Sequence, residues 1–113
     1  MTAGMNLWDL EALDVEPHQP VVLQSDEGAA RVIAINLPRG EELGEHEVHE
    51  HAWLHVHRGT VQLTDDDGNS SQAGAGGLAY WAPHERHTVA AVEDALVLLV
   101  LAPWPGPGHP SLP

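Results

Sequence analysis

The sequence predicts an all-β domain, a sandwich or barrel built from short strands. Three observations carry this expectation. Runs of three to eight mostly apolar or β-branched residues recur along the chain, and Gly, Pro, Asp or Asn residues bound them. Only the first twenty residues carry a helix-like spacing. The 113 residues, 42% of them hydrophobic, suffice for one core and not for two.

In chain order, Leu7, Trp8, Leu10 and Leu13 form a brief helical pattern, too short to stand alone, which Pro17 and Pro20 end. Strands are expected at 21–23, 30–37, 52–57, 60–64, 78–81, 87–92 and 95–102. Pro38-Arg39-Gly40, Arg58-Gly59, Asp67-Gly68-Asn69 and Gly74 to Gly77 separate them and supply turn chemistry. The acidic run Asp65-Asp66-Asp67-Gly68-Asn69 looks like half a calcium loop, but it has no flanking helices and no carboxylate at the twelfth position. A hairpin tip is the expectation there. Pro103 to Pro113 holds five prolines and is expected to run extended over the surface, with Trp104 as its anchor and His109 in solvent. The organisation is therefore an N-terminal segment, 1–20, a β-domain, 21–102, and a Pro/Gly-rich tail, 103–113.

Seventeen acidic residues oppose four arginines and no lysine, a formal charge of −13. That field repels nucleic acid and anionic membranes and attracts cations. With no cysteine, disulfides, thiolate zinc sites and cysteine nucleophiles are excluded together. No apolar run approaches the ~20 residues of a membrane span. The acidic N-terminus lacks the basic region of a signal peptide, so a cytoplasmic protein is expected.

Chemistry concentrates in the histidines. His46, His49, His51, His55 and His57 fall within twelve residues, and His84 and His87 follow in Pro83-His84-Glu85-Arg86-His87. Imidazole is the commonest protein metal ligand, and residues i and i+2 of a strand project to one face, so such runs can offer parallel donors. On 52–58 the alternation sets Ala52, Leu54 and Val56 against Trp53, His55 and His57. With the apolar set inside, the Trp-His-His row points outward and suits a dimer interface. Glu45, Glu47 and Glu50 are placed to orient imidazoles. Without a metal, glutamates flanking the cluster favour imidazole protonation while neighbouring imidazolium charges oppose it.

The spacing resembles the two motifs of the cupin superfamily. Gly40, five residues, His46, then Gly59 thirteen residues later is similar to the first motif. Gly77-Leu78-Ala79-Tyr80-Trp81 followed by Ala82-Pro83-His84-Glu85-Arg86-His87 is similar to the second. The resemblance implies a double-stranded β-helix, or jelly-roll barrel, with a pocket inside it. It also implies a metal held by two histidines of the first motif, a glutamate, and a histidine of the second. His46 and His87 stand in register with that pattern. Val48 and Ala52 occupy the second histidine's and the glutamate's positions, Ala82 and His84 those of a proline and a glycine, and Ala91 that of an asparagine. His49 and His51 are candidate replacements from neighbouring positions, with His84 a further one. A shifted frame through His49-Glu50-His51 and His55 restores a His-x-His pair but misplaces Gly59 by three residues.

The expected metal residues are therefore His46, His49, His51 and His87, holding a divalent ion such as Zn, Fe, Mn or Ni, with no catalytic residue assigned. The resemblance implies isomerase- or oxygenase-type chemistry on a small molecule. The competing expectation is a non-catalytic module that binds or senses a small ligand without a native metal. A homodimer is expected in either case.

Overall fold

The computed structural model describes residues 4–110, apart from the side chains of residues 44–46. Nine strands form two antiparallel sheets: β1 (Val21–Ser25), β2 (Ala29–Leu37), β3 (Glu42–His46), β4 (His51–Arg58), β5 (Val61–Asp65), β6 (Ser70–Ala73), β7 (Leu78–Trp81), β8 (His87–Ala91) and β9 (Ala95–Trp104). One sheet runs β1-β2-β9-β4-β7 and the other β3-β8-β5-β6. No helix occurs among the described residues, so none there is long and apolar enough to cross a membrane.

The inner faces follow the strand period. Ile35 and Leu37 of β2, Ala52, Leu54 and Val56 of β4, and Val97 and Leu101 of β9 meet Val61, Trp81, Val89 and Ala91 in one buried cluster. Leu54, Val56, Val61, Val89 and Val97 are all but inaccessible to solvent, so aliphatic side chains fill the middle of the jelly roll. At about 25 cal/mol per Å² of apolar surface, each such side chain contributes roughly 1.5–3 kcal/mol.

The seven expected strands all form, and two more join them. β3 and β6 read Glu-Leu-Gly-Glu-His and Ser-Ser-Gln-Ala. Neither carries the β-branched signature; register with β8 and β5 makes them strands. β9 also runs past the expected end, since Trp104 pairs with Ala29 and its carbonyl accepts the Gly28 N–H at 2.6 Å. Pro103 is accommodated where the β2–β9 register shifts between Ala29 and Arg31.

The helix-like N-terminal pattern becomes irregular chain with a turn. Asp9 Oδ1 accepts the Glu11 N–H at 3.0 Å and the Asp9 carbonyl accepts that of Ala12 at 3.1 Å, a turn that goes no further. Val15, with Leu13, then docks on Ala34 and Leu96 on the outer face of the larger sheet, and Asn36 Nδ2 ties the segment down by donating to the Val15 carbonyl at 2.7 Å.

The two motif glycines have separate backbone reasons. Both take positive φ, +84° at Gly40 and +80° at Gly59. At Gly59 a Cβ would also fall 2.1 Å from the Asp94 carbonyl oxygen, so the β4–β5 turn packs directly on the chain entering β9.

Candidate functional site

Antiparallel register brings His46, His49, His84 and His87 to one end of the barrel. There β3 ends opposite the start of β8, pairing His46 with His87, while the start of β4 lies between the end of β7 and the end of β9. Three connections close over this end. The His84 N–H donates to the Val48 carbonyl at 2.8 Å, joining loop 82–86 to loop 47–50. The tail completes the cap, with Gly106 N–H donating to Glu50 Oε2 at 2.6 Å.

Glu50 is 1% exposed, and a carboxylate that deep requires a donor. The tail supplies it by approaching so closely that a Cβ on Gly106 would sit 2.2 Å from the His49 carbonyl oxygen. Trp104 anchors the approach, with the Arg31 guanidinium 4.6 Å from its ring centroid and the His109 ring packed edge-on at 4.8 Å. The tail therefore folds back instead of running extended, and His109 is half-buried rather than in solvent. The sequence hid this because proline and glycine mark a turn without saying what the turn will touch.

His87 is 2% exposed and stacks on Trp81, with ring centroids 4.0 Å apart and 9° between planes. Its Nδ1 lies 3.3 Å from the Glu85 carbonyl oxygen. A proton donated there leaves Nε2 as the lone-pair nitrogen, the form in which a histidine binds a metal. His49 packs edge-on against His84 at 5.0 Å and His109 at 5.6 Å. Its Nδ1 is shut off from solvent and has no hydrogen-bond partner. His84 holds φ at +69°, a left-handed conformation at the position where the second motif places a glycine. Strained backbone of this kind collects at binding sites.

His51 is not brought to this cluster. It is exposed on the outer face, with its Nδ1 2.5 Å from the Tyr80 hydroxyl and its ring stacked on the Tyr80 ring at 5.9 Å. The reason is period: it lies on the same side of β4 as Trp53, His55 and His57, opposite Ala52, Leu54 and Val56. His57 Nε2 there lies 3.0 Å from Glu11 Oε1, outside hydrogen-bond alignment. The fourth expected ligand, His46, has its side chain outside the described residues. Among the described residues no group of three His, Asp or Glu is arranged to hold a metal ion.

The middle of the barrel is filled by aliphatic side chains. Clefts lie on the outside of the capped end. One of about 180 Å³ runs between residues 64–68 and 86–88 and reaches His87. Another of about 420 Å³ is lined by Asp65, Asp66, Asp67, Pro83, His84, Glu85 and Arg86. A groove of about 290 Å³ at the opposite end, beside Ile35, Leu37 and Glu41, is lined by none of the six clustered histidines whose side chains are described.

No protein-family model matches the sequence, and a search of curated proteins finds no match. Solved structures do match. An RmlC-like cupin protein from Desulfovibrio desulfuricans is 21% identical over 91% of this chain and 98% of its own, with a TM-score of 0.73. An RmlC-like cupin family protein with a double-stranded β-helix fold from Methanocaldococcus jannaschii is 20% identical over 93% and 94%, with a TM-score of 0.72. KdgF from Halomonas sp. is 22% identical over 78% and 82%, with a TM-score of 0.65. At such identities the likeness is one of fold: the chain has the cupin double-stranded β-helix.

Proposed function

From that cupin fold as premise, we propose that the protein binds a divalent cation through histidines at the capped end of its barrel and presents it to a small molecule. His49 and His87 would hold the ion, with His46 as a third donor. The observation that carries this reading is the buried, partnerless Nδ1 of His49. Leaving such a nitrogen unsatisfied costs about 1–3 kcal/mol, and a bound ion or ligand polar group would recover it. The contact of His87 Nδ1 with the Glu85 carbonyl supports the reading further, because it orients the ring.

An all-imidazole donor set suits Zn, Fe or Ni better than Mn, which prefers oxygen donors. When bound, the ion would supply Lewis-acid activation, of the kind that isomerase- or oxygenase-type cupin chemistry requires. The chain's own groups would do the rest. Glu47 and Glu85 beside the cap raise the local cation concentration, and the two external clefts at this end give a small molecule access. Glu50 is committed to the Gly106 N–H and positions the tail.

A second reading, a metal-free module that binds a small ligand, is favoured by one observation. The face of His87 is already covered by Trp81, as in a pocket lined for packing. Elemental analysis of untagged protein separates the two. The expected result is about one equivalent of metal per chain, reduced at least ~10-fold by His49→Ala and by His87→Ala and unaffected by His51→Ala. Substoichiometric metal that survives both of the first two changes would overturn the metal reading in favour of the second.

A further inference from the structure

Arg31 lies on the inner side of the larger sheet. It pairs with Leu101 across β2 and β9, Leu101 pairs with Ala52, and Ala52 with Trp81, so these four side chains form one row on the core face. At the far end of the row Trp81 carries the ring of His87 stacked on it. On its near side the Arg31 guanidinium lies 4.6 Å from the centre of the Trp104 ring. The rings of His109 and His49 follow in turn, at 4.8 and 5.6 Å. Arg31 therefore belongs to the capped end, and only Trp104 and His109 separate it from His49.

An arginine so placed calls for an acceptor. Its Nε is shut off from solvent without a hydrogen-bond partner, and among the described residues no ion pair joins Arg31 to a carboxylate. Seventeen acidic residues stand against four arginines, so the lack is not one of supply. Asp26, in the turn before β2, accepts from Gln24 instead, and Glu50, the buried carboxylate of this end, accepts from Gly106. Trp104 covers the face of the guanidinium, but the N–H groups point out of its edge and are not satisfied there. His49 Nδ1 is orphaned as well. Two buried nitrogens without partners thus stand at either end of the Trp104–His109 pair.

We propose that Arg31 holds the carboxylate of the small molecule that enters the capped end, which makes the substrate class a small carboxylic acid with an apolar body. The proposal rests on the reading of this end as a small-molecule site and not on the metal. The coplanar N–H groups of Nε and one Nη match the two oxygens of a carboxylate. One guanidinium balances a monoanion; a phosphate group carries more charge, and the −13 field repels it more strongly. Ile33, Leu99, Leu101 and Trp104 surround the position with apolar surface for the body of the acid. Residues 105–110 have no strand partner, and this stretch of tail is what must shift to admit the acid to Nε.

NMR titration of the untagged full chain tests the proposal, first metal-free after chelation and then with zinc. The probes are acetate, butanoate and benzoate, each compared with its neutral amide. In both states at least one acid should bind ~10-fold or more tighter than its amide. Arg31→Gln should bring that preference close to one, while Arg31→Lys, which keeps the charge and loses the fork, should retain part of it. A packing role alone would lower stability in these variants and leave the preference unchanged. No preference in the wild type, or one that survives Arg31→Gln, would overturn the proposal. A preference seen only with zinc would overturn it too, because the ion and not Arg31 would then hold the acid, and the metal reading would stand. An Arg31-dependent preference in a chain that takes up no zinc would support the proposal while the metal reading failed.

Discussion

At Gly59 a single absent Cβ decides whether β4 can turn into β5, because the Asp94 carbonyl occupies the space a side chain would need. Gly40 has the same sign of φ but open space around it. The two therefore separate conformational strain from steric overlap. Gly40→Ala should cost about 1 kcal/mol from the left-handed backbone alone. Gly59→Ala should cost about 2–4 kcal/mol, since strain and collision combine. Urea denaturation of the two variants measures the difference; equal losses would mean that the turn yields at Gly59. His84 shows the reverse situation, a residue with a Cβ kept in a glycine conformation where its ring lies against His49. The motif spacing marked both glycines and the departure at His84, but their environments belong to the folded chain.

At the level of elements, the tail shows how a short segment acquires a role by contact. Residues 105–110 have no strand partner, yet Gly106 is buried against loop 47–50 and satisfies Glu50. Glu50→Ala in the full chain leaves the Gly106 N–H buried without an acceptor, at about 1.5–3 kcal/mol. Ending the chain after Trp104 instead lets water reach the carboxylate, and should cost only about 1 kcal/mol. It should also uncover His49, which a histidine-acylating reagent would then modify faster than in the full chain. Unchanged modification would show that loop 82–86 shields His49 without the tail. β4 illustrates what period alone can do. Its alternation assigned Ala52, Leu54 and Val56 inward and Trp53, His55 and His57 outward, and the structure has them so. The same count puts His51 outward, which its place in a histidine-dense run concealed.

For the whole molecule, charge and core oppose each other. Two packed sheets hold together a chain whose surface carries a formal −13. Mutual repulsion of that size destabilises the compact state and is screened by salt. Raising the salt concentration shortens the screening length from about 30 Å at 0.01 M to about 3 Å at 1 M. The expected gain is about 1 kcal/mol or more, roughly 5 °C in Tm for a domain of this size. Calorimetry in sodium chloride checks it, and a flat Tm would mean that the acidic groups lie too far apart to interact.

The sequence by itself determined the all-β class, seven of the nine strands, the side of β4 on which each residue lies, and the jelly-roll likeness carried by Gly40, Gly59 and the histidine spacing. These are local properties: side-chain period, turn chemistry and backbone freedom are written in neighbouring residues. Tertiary structure alone decided that Glu-Leu-Gly-Glu-His and Ser-Ser-Gln-Ala become strands, and that aliphatic side chains fill the barrel. It alone brought Glu50, Gly106 and His109 together over His49. Those contacts join residues more than fifty positions apart, and no spacing rule along the chain reaches that far.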